Sequence, residues 1–210
     1  MTSGQYFEAD PVVPSRLGHV ELRLADLTVS LSVDRGVFSA GRVDPGTVAL
    51  LRASPPPPEE GDLVDLGCGY GPIACTLARR SPAATVWAVD VNRRALALTE
   101  ANAAALGLAN VRAIPPGDLP PGLRVAGLWS NPPIRIGKVA LHDLLTGWLA
   151  RLDDGARAWL VVHRHLGGDS LAAWMDAGGF RVRRAGSKQG YRILDVTRRQ
   201  PPPNMTEPES

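Results

Sequence analysis

From His19 to Asp34, apolar and polar residues alternate along HVELRLAD and LTVSLSVD. A period of two predicts a hairpin or two short strands with one buried face. The segment GVFSAGRVD reads as a loop, and Asp44 then stands directly before PGTVALLRA. An acceptor at the N-cap with proline at the first helical position predicts a short helix. The four prolines of SPPPPEEG, Ser54 to Gly61, hold no regular structure and mark a seam. Beyond it the period changes. Short apolar runs at 62–66, 85–90, 110–114, 125–130 and 156–163 predict strands. Between and after them, helices are expected from the glycine turn to Arg80, over NRRALALTEANAAALG, over VALHDLLTGWLARL and over DSLAAWMDAGG. FRVRRAG and GYRILDVT read as a closing antiparallel pair.

Strands alternating with helices imply an α/β fold, its mostly parallel sheet covered on both faces. The expected organisation is an N-terminal hairpin–helix appendage at 1–60, a main body at 61–199 and a disordered tail, PPPNMTEPES, at 200–210. With 210 residues, 44% hydrophobic and 21% charged, the chain has enough apolar material for one sizeable core. No run reaches the roughly 18 apolar residues of a membrane span. The N-terminus lacks a basic start followed by an apolar stretch, so a soluble cytoplasmic protein is expected. Cys68 and Cys75 read as small buried hydrophobes. The net charge of +2 singles out no polyanion, although seven basic residues crowd 181–199 against a single acid, Asp195.

Chemistry concentrates at two turns. In VDLGCGYGP, Gly67, Gly69 and Gly71 follow the first strand of the alternating region. There they permit positive φ and close approach of a ligand at a carboxyl edge of the sheet. A dinucleotide fingerprint would need glycine where Pro72 stands. Asp90, ending the second strand, can accept from both hydroxyls of a ribose. Asp118 in PPGDLPP can accept from an exocyclic amine or simply form a turn, and Asp65 can accept from an ammonium group. The second turn is SNPPIRIGK, Ser130 to Lys138, whose two prolines forbid both a continued helix and a mid-sheet strand.

DLGCGYG with Asp90 and Asp118 resembles the S-adenosylmethionine site of class I methyltransferases. SNPPIRIGK resembles the Asn-Pro-Pro motif of the "methyltransferase small" family, which includes RsmC-type enzymes that methylate guanine N2 of small-subunit ribosomal RNA. YFEADPVVPS, DRGVFSAGRVDPGT and GYRILDV extend the likeness over residues 6–197. The resemblance implies a Rossmann-like class I methyltransferase sandwich with a seven-stranded sheet. It also implies S-adenosylmethionine held by Asp65, Gly67, Cys68, Gly69, Gly71, Asp90, Val91, Asp118 and Asn131, with Phe38 and Ser39 closing over it.

In that light the donor-poor turn has a use. An exocyclic base amine is a weak nucleophile because its lone pair is delocalised. The Asn131 side-chain carbonyl and the Pro132 backbone carbonyl can accept its two hydrogens, with Pro133 stiffening the pair and Ile134 packing on the base. Many relatives carry an aromatic where Ile134 stands. Arg135 and Lys138 are expected to contact a phosphate or base edge. The expectation is therefore N-methylation of structured RNA, with ribosomal guanine N2 ahead of adenine N6. A protein glutamine N5 methyltransferase and a non-catalytic RNA-binding module are the alternatives. RsmC-type proteins usually carry a whole additional domain before the catalytic one, where this chain has about sixty residues. His163 and His165 have no accompanying ligand cluster, so no metal is expected. Trp129 reads as sheet core, and the oligomeric state stays open.

Overall fold

The computed structural model describes residues 14–37 and 41–199. The tail, the YFEADPVVPS stretch up to residue 13, and both Phe38 and Ser39 therefore lie outside the described residues. β1 (Gly18–Arg23) and β2 (Thr28–Val33) form the expected antiparallel hairpin, with Val20, Leu22, Val29, Leu31 and Val33 on its buried face. α1 (Pro45–Ala53) starts where its cap and proline predict, and the Asp44 carboxylate accepts from the Gly46 and Thr47 amides.

β3 (Asp62–Leu66), α2 (Pro72–Arg80), β4 (Thr85–Val89), α3 (Arg93–Ala105) and β5 (Val111–Ile114) run outward across the sheet. The chain then returns to pair β6 (Val125–Ser130) on the other side of β3, followed by α4 (Lys138–Leu149), β7 (Leu152–His163) and α5 (Gly168–Ala177). β8 (Phe180–Lys188) and β9 (Tyr191–Arg198) close the sheet as an antiparallel pair, in the order β5-β4-β3-β6-β7-β9-β8. The fourth helix ends three residues earlier than its apolar pattern suggested. Val125 N–H bonds the Arg151 carbonyl, and Leu152, wholly buried, already begins β7. Tertiary pairing there overrides the helical period.

Side chains alternate faces along the strands. Leu63, Val161 and Ile193 join a core with the hairpin and with α1, α2 and α3. Val64, Val162 and Leu194 join a second core under α4 and α5. Trp129 is buried as expected, and a Cβ on Gly127 would lie 2.7 Å from its ring. Residues of the 1–60 segment thus share a core with the main body. The order reverses between β3 and β6, so their carboxyl ends diverge into the crevice where open α/β sheets take ligands. Leu66 and Ser130 are paired there, and the Ser130 hydroxyl donates to the Leu66 carbonyl at 2.7 Å.

Candidate active site

The glycine loop leaves β3 and the Asn-Pro-Pro turn leaves β6, so strand pairing alone brings the two motifs together. A Cβ built on Gly67 would lie 3.8 Å from the Pro133 ring. Both turns line one cavity of about 270 Å³ together with Cys68, Asp90, Val91 and Arg135. Gly67, Gly69 and Gly71 all have positive φ, at 76°, 58° and 86°. Gly69 faces open space, and so makes the cradle. Gly71 serves packing instead, since a Cβ there would meet Thr99 at 2.9 Å.

Asp90 ties the loops after β3 and β4 together, accepting from Gly69 N–H and from Asn92 N–H, each at 2.9 Å. Each oxygen retains further acceptor capacity toward the cavity it lines. Asp65 lies beneath the loop. It is fully buried, absent from the cavity wall, and bound by Ala74 N–H at 2.9 Å through one oxygen, while the other has no partner among the described residues. Burial pushes its carboxyl up to about 8 against the lowering effect of that amide, and the Asp90 charge adds to the rise. An unpartnered buried carboxyl oxygen under a glycine cradle fits the cationic end of an amino-acid-bearing cofactor. Burial, with Asp90 and Asp65 nearby, holds the Cys68 thiol well above its ordinary range, so it acts as neutral wall and not as nucleophile. Asp118 is exposed on a 3₁₀ turn, and Pro116 lines the cavity in its place. Val37, just before the undescribed Phe38, is on the wall.

The Asn131 amide is held at both hydrogens. Nδ2 donates to Asp44 Oδ1 at 2.9 Å and to the Thr47 hydroxyl at 3.2 Å. A carboxylate only accepts, so the nitrogen must face Asp44 and Oδ1 is left as the outward acceptor. The Pro132 carbonyl differs from the expectation of a fully available acceptor. It already takes the Ile134 N–H at 2.8 Å, in a tight turn about Pro133 (φ −75°, ψ 72°), and keeps one lone pair. Ile134 is half-buried on the wall, whereas Lys138 opens α4 outside it.

Sequence reasoning passed over Asp44 and Thr47 as site residues, and also Tyr70 and Tyr191, all on the cavity wall. His163 is on the wall too, its ring edge-to-face with Tyr191 at 5.0 Å. Among the described residues no cluster could hold a metal. In the basic stretch Arg183 pairs with Asp195, Arg184 and Arg192 with Asp169, Arg198 with Asp154 and Arg199 with Asp176. Much of the positive charge there is therefore answered within the fold.

Comparison with known proteins gives the class, that of the methyltransferases. The Thermus thermophilus 16S rRNA guanine-N2 methyltransferase RsmC, solved with AdoMet and guanosine, superposes with a TM-score of 0.75 at 25% identity, covering 90% of this chain and 52% of that one. The chain belongs to the methyltransferase small domain family, whose model matches residues 28–195. The Bacillus subtilis protein YbxB is 32% identical over 91% of this chain and 97% of its own. Ribosomal RNA small subunit methyltransferase C of Ectopseudomonas mendocina is 36% identical over 77% of this chain and 52% of its own. The chain thus spans about half the length of these methyltransferase C relatives.

Proposed function

We propose that this chain transfers a methyl group to an exocyclic base amine of structured RNA in the cytoplasm, ribosomal RNA and guanine N2 being favoured. One observation carries the reading: the locked Asn131 amide shares a cavity with the glycine cradle. The relatives named as ribosomal RNA methyltransferases support the substrate class.

Bound S-adenosylmethionine supplies an electrophilic methyl group. Asp90 and the cradle glycines would hold the cofactor, with Asp65 beneath them for its ammonium group. Asn131 Oδ1 and the remaining lone pair on the Pro132 carbonyl would each accept one N–H of the target amine and turn its lone pair toward the methyl group. Alignment supplies the rate enhancement, and the surplus amine proton leaves to water after transfer. Arg135, on the wall, and Lys138, at the start of α4, would contact the RNA backbone or the base edge in this reading. In this reading residues 61–199 are the catalytic body, and the 1–60 segment contributes Asp44 and Thr47 to its site.

Labelled S-adenosylmethionine with total RNA, with and without ribonuclease, tests the substrate class, and mass spectrometry of the nucleosides identifies the base. Label that survives ribonuclease in protein would reject the RNA reading. Asn131→Ala is expected to abolish transfer while leaving cofactor affinity, read by titration calorimetry, within about two-fold, because the lost contact is made to the acceptor.

A further inference from the structure

We propose that Asp44 is a positioning residue for methyl transfer, acting through Asn131. This rests on the reading of Asn131 as the acceptor-facing group.

Asp44 does more than its place before a helix requires. One oxygen, Oδ1, takes three N–H groups: Gly46 at 2.8 Å, Thr47 at 3.0 Å and Asn131 Nδ2 at 2.9 Å. Capping accounts for the first two, and a serine would serve as well. The third reaches a residue 87 positions away, across the cavity wall. The Thr47 hydroxyl, on the first turn of the same helix, takes the second Nδ2 hydrogen. With both hydrogens held, the amide can neither flip nor swing.

Two consequences follow for the chemistry. The Asn131 carbonyl points at one place before the acceptor arrives, so little ordering is left to the encounter. An amide that donates to a carboxylate also has a more negative oxygen, because linked hydrogen bonds polarise one another. Both effects strengthen acceptance of an amine N–H where the methyl group is delivered. Tyr191 closes the same corner. Its ring sits so near Gly46 that a Cβ there would lie 2.6 Å from the ring edge, which leaves the cap little room to shift.

The test uses two variants of the full chain. Asp44→Ser keeps a capping oxygen but is too short to reach Asn131, whereas Asp44→Asn keeps a carbonyl that can accept all three N–H groups. Turnover of Asp44→Ser is expected to fall about 100-fold, the scale of a misplaced reacting group, with the cofactor dissociation constant and thermal midpoint near wild type. Asp44→Asn is expected to recover turnover to within about ten-fold of wild type, the difference between a charge-assisted and a neutral hydrogen bond. The Asn131 side-chain NH₂ resonances, assigned by their loss in Asn131→Ala, should be protected from solvent exchange in wild type and Asp44→Asn and exposed in Asp44→Ser.

Wild-type turnover in Asp44→Ser, or a loss matched by equal loss of cofactor affinity, would overturn the proposal, as would an unprotected amide in wild type. The acceptor is whichever macromolecular fraction the wild type labels. Label in protein would therefore reject the RNA reading while leaving the Asp44 comparison intact.

Discussion

Asp65→Asn probes the charge stored under the cofactor cradle. The carboxyl is fully buried, has the Ala74 N–H on one oxygen and, among the described residues, no partner on the other, and is pushed up to about 8. In the unfolded chain an aspartate titrates at about 3.9. Between those values the folded state binds one proton more than the unfolded state. The stabilisation is therefore complete below the unfolded value and is lost as pH rises through the folded one. The limiting slope is about 1.4 kcal/mol per pH unit. With a urea dependence of about 1–3 kcal/mol per molar, the midpoint should drop by roughly 0.5–1.4 M per unit across that window. Asparagine keeps a carbonyl for the Ala74 amide and cannot ionise, so the variant should lose this slope. Burial also raises Asp90, which remains in both proteins, so the difference between them reports Asp65 together with its coupling to Asp90. Urea unfolding between about pH 5 and 8.5, bracketing most of this interval, can be followed by fluorescence of the buried Trp129, Trp148 and Trp159. Equal pH slopes in the two proteins would refute the account. The same carboxyl should release about one proton when an ammonium group binds above it, since an opposite charge favours its ionised form. Calorimetry in buffers of different ionisation heat should detect that release in wild type only.

Gly69→Ala places a methyl group into the open cradle at φ 58°. It should cost about 1–2 kcal/mol of stability and weaken S-adenosylmethionine binding, and undiminished affinity by calorimetry would show that the cofactor does not pass over this glycine. Tyr191→Leu removes the larger member of the aromatic pair on the cavity wall. If that ring supplies the aromatic stacking that an aliphatic Ile134 lacks, the RNA KM should rise about ten-fold, within the range of base–aromatic stacking, at unchanged cofactor affinity; an unchanged KM would exclude it.

Local patterns made most of the framework legible. The hairpin, the cap at Asp44, the alternation of strands and helices and the two turns each depend on a few adjacent residues, and each recurs in the structure. Boundaries slipped where pairing decided them, as at Leu152, which a helical period claimed and the sheet took. The basic run at 181–199 stood out because sequence places one acid among seven cations. The fold brings Asp154, Asp169 and Asp176 to the same strands and buries Asp195 opposite Arg183. The site shows the same limit most sharply. The Asn-Pro-Pro turn and the glycine loop can be recognised by their own residues, but nothing in an N-cap aspartate asks for a further partner, since its helix alone explains it. Asp44 becomes a site residue only because the N-terminus of α1 meets the turn that follows β6. Its third hydrogen bond is therefore a property of the folded chain, and it decides which way the Asn131 amide faces.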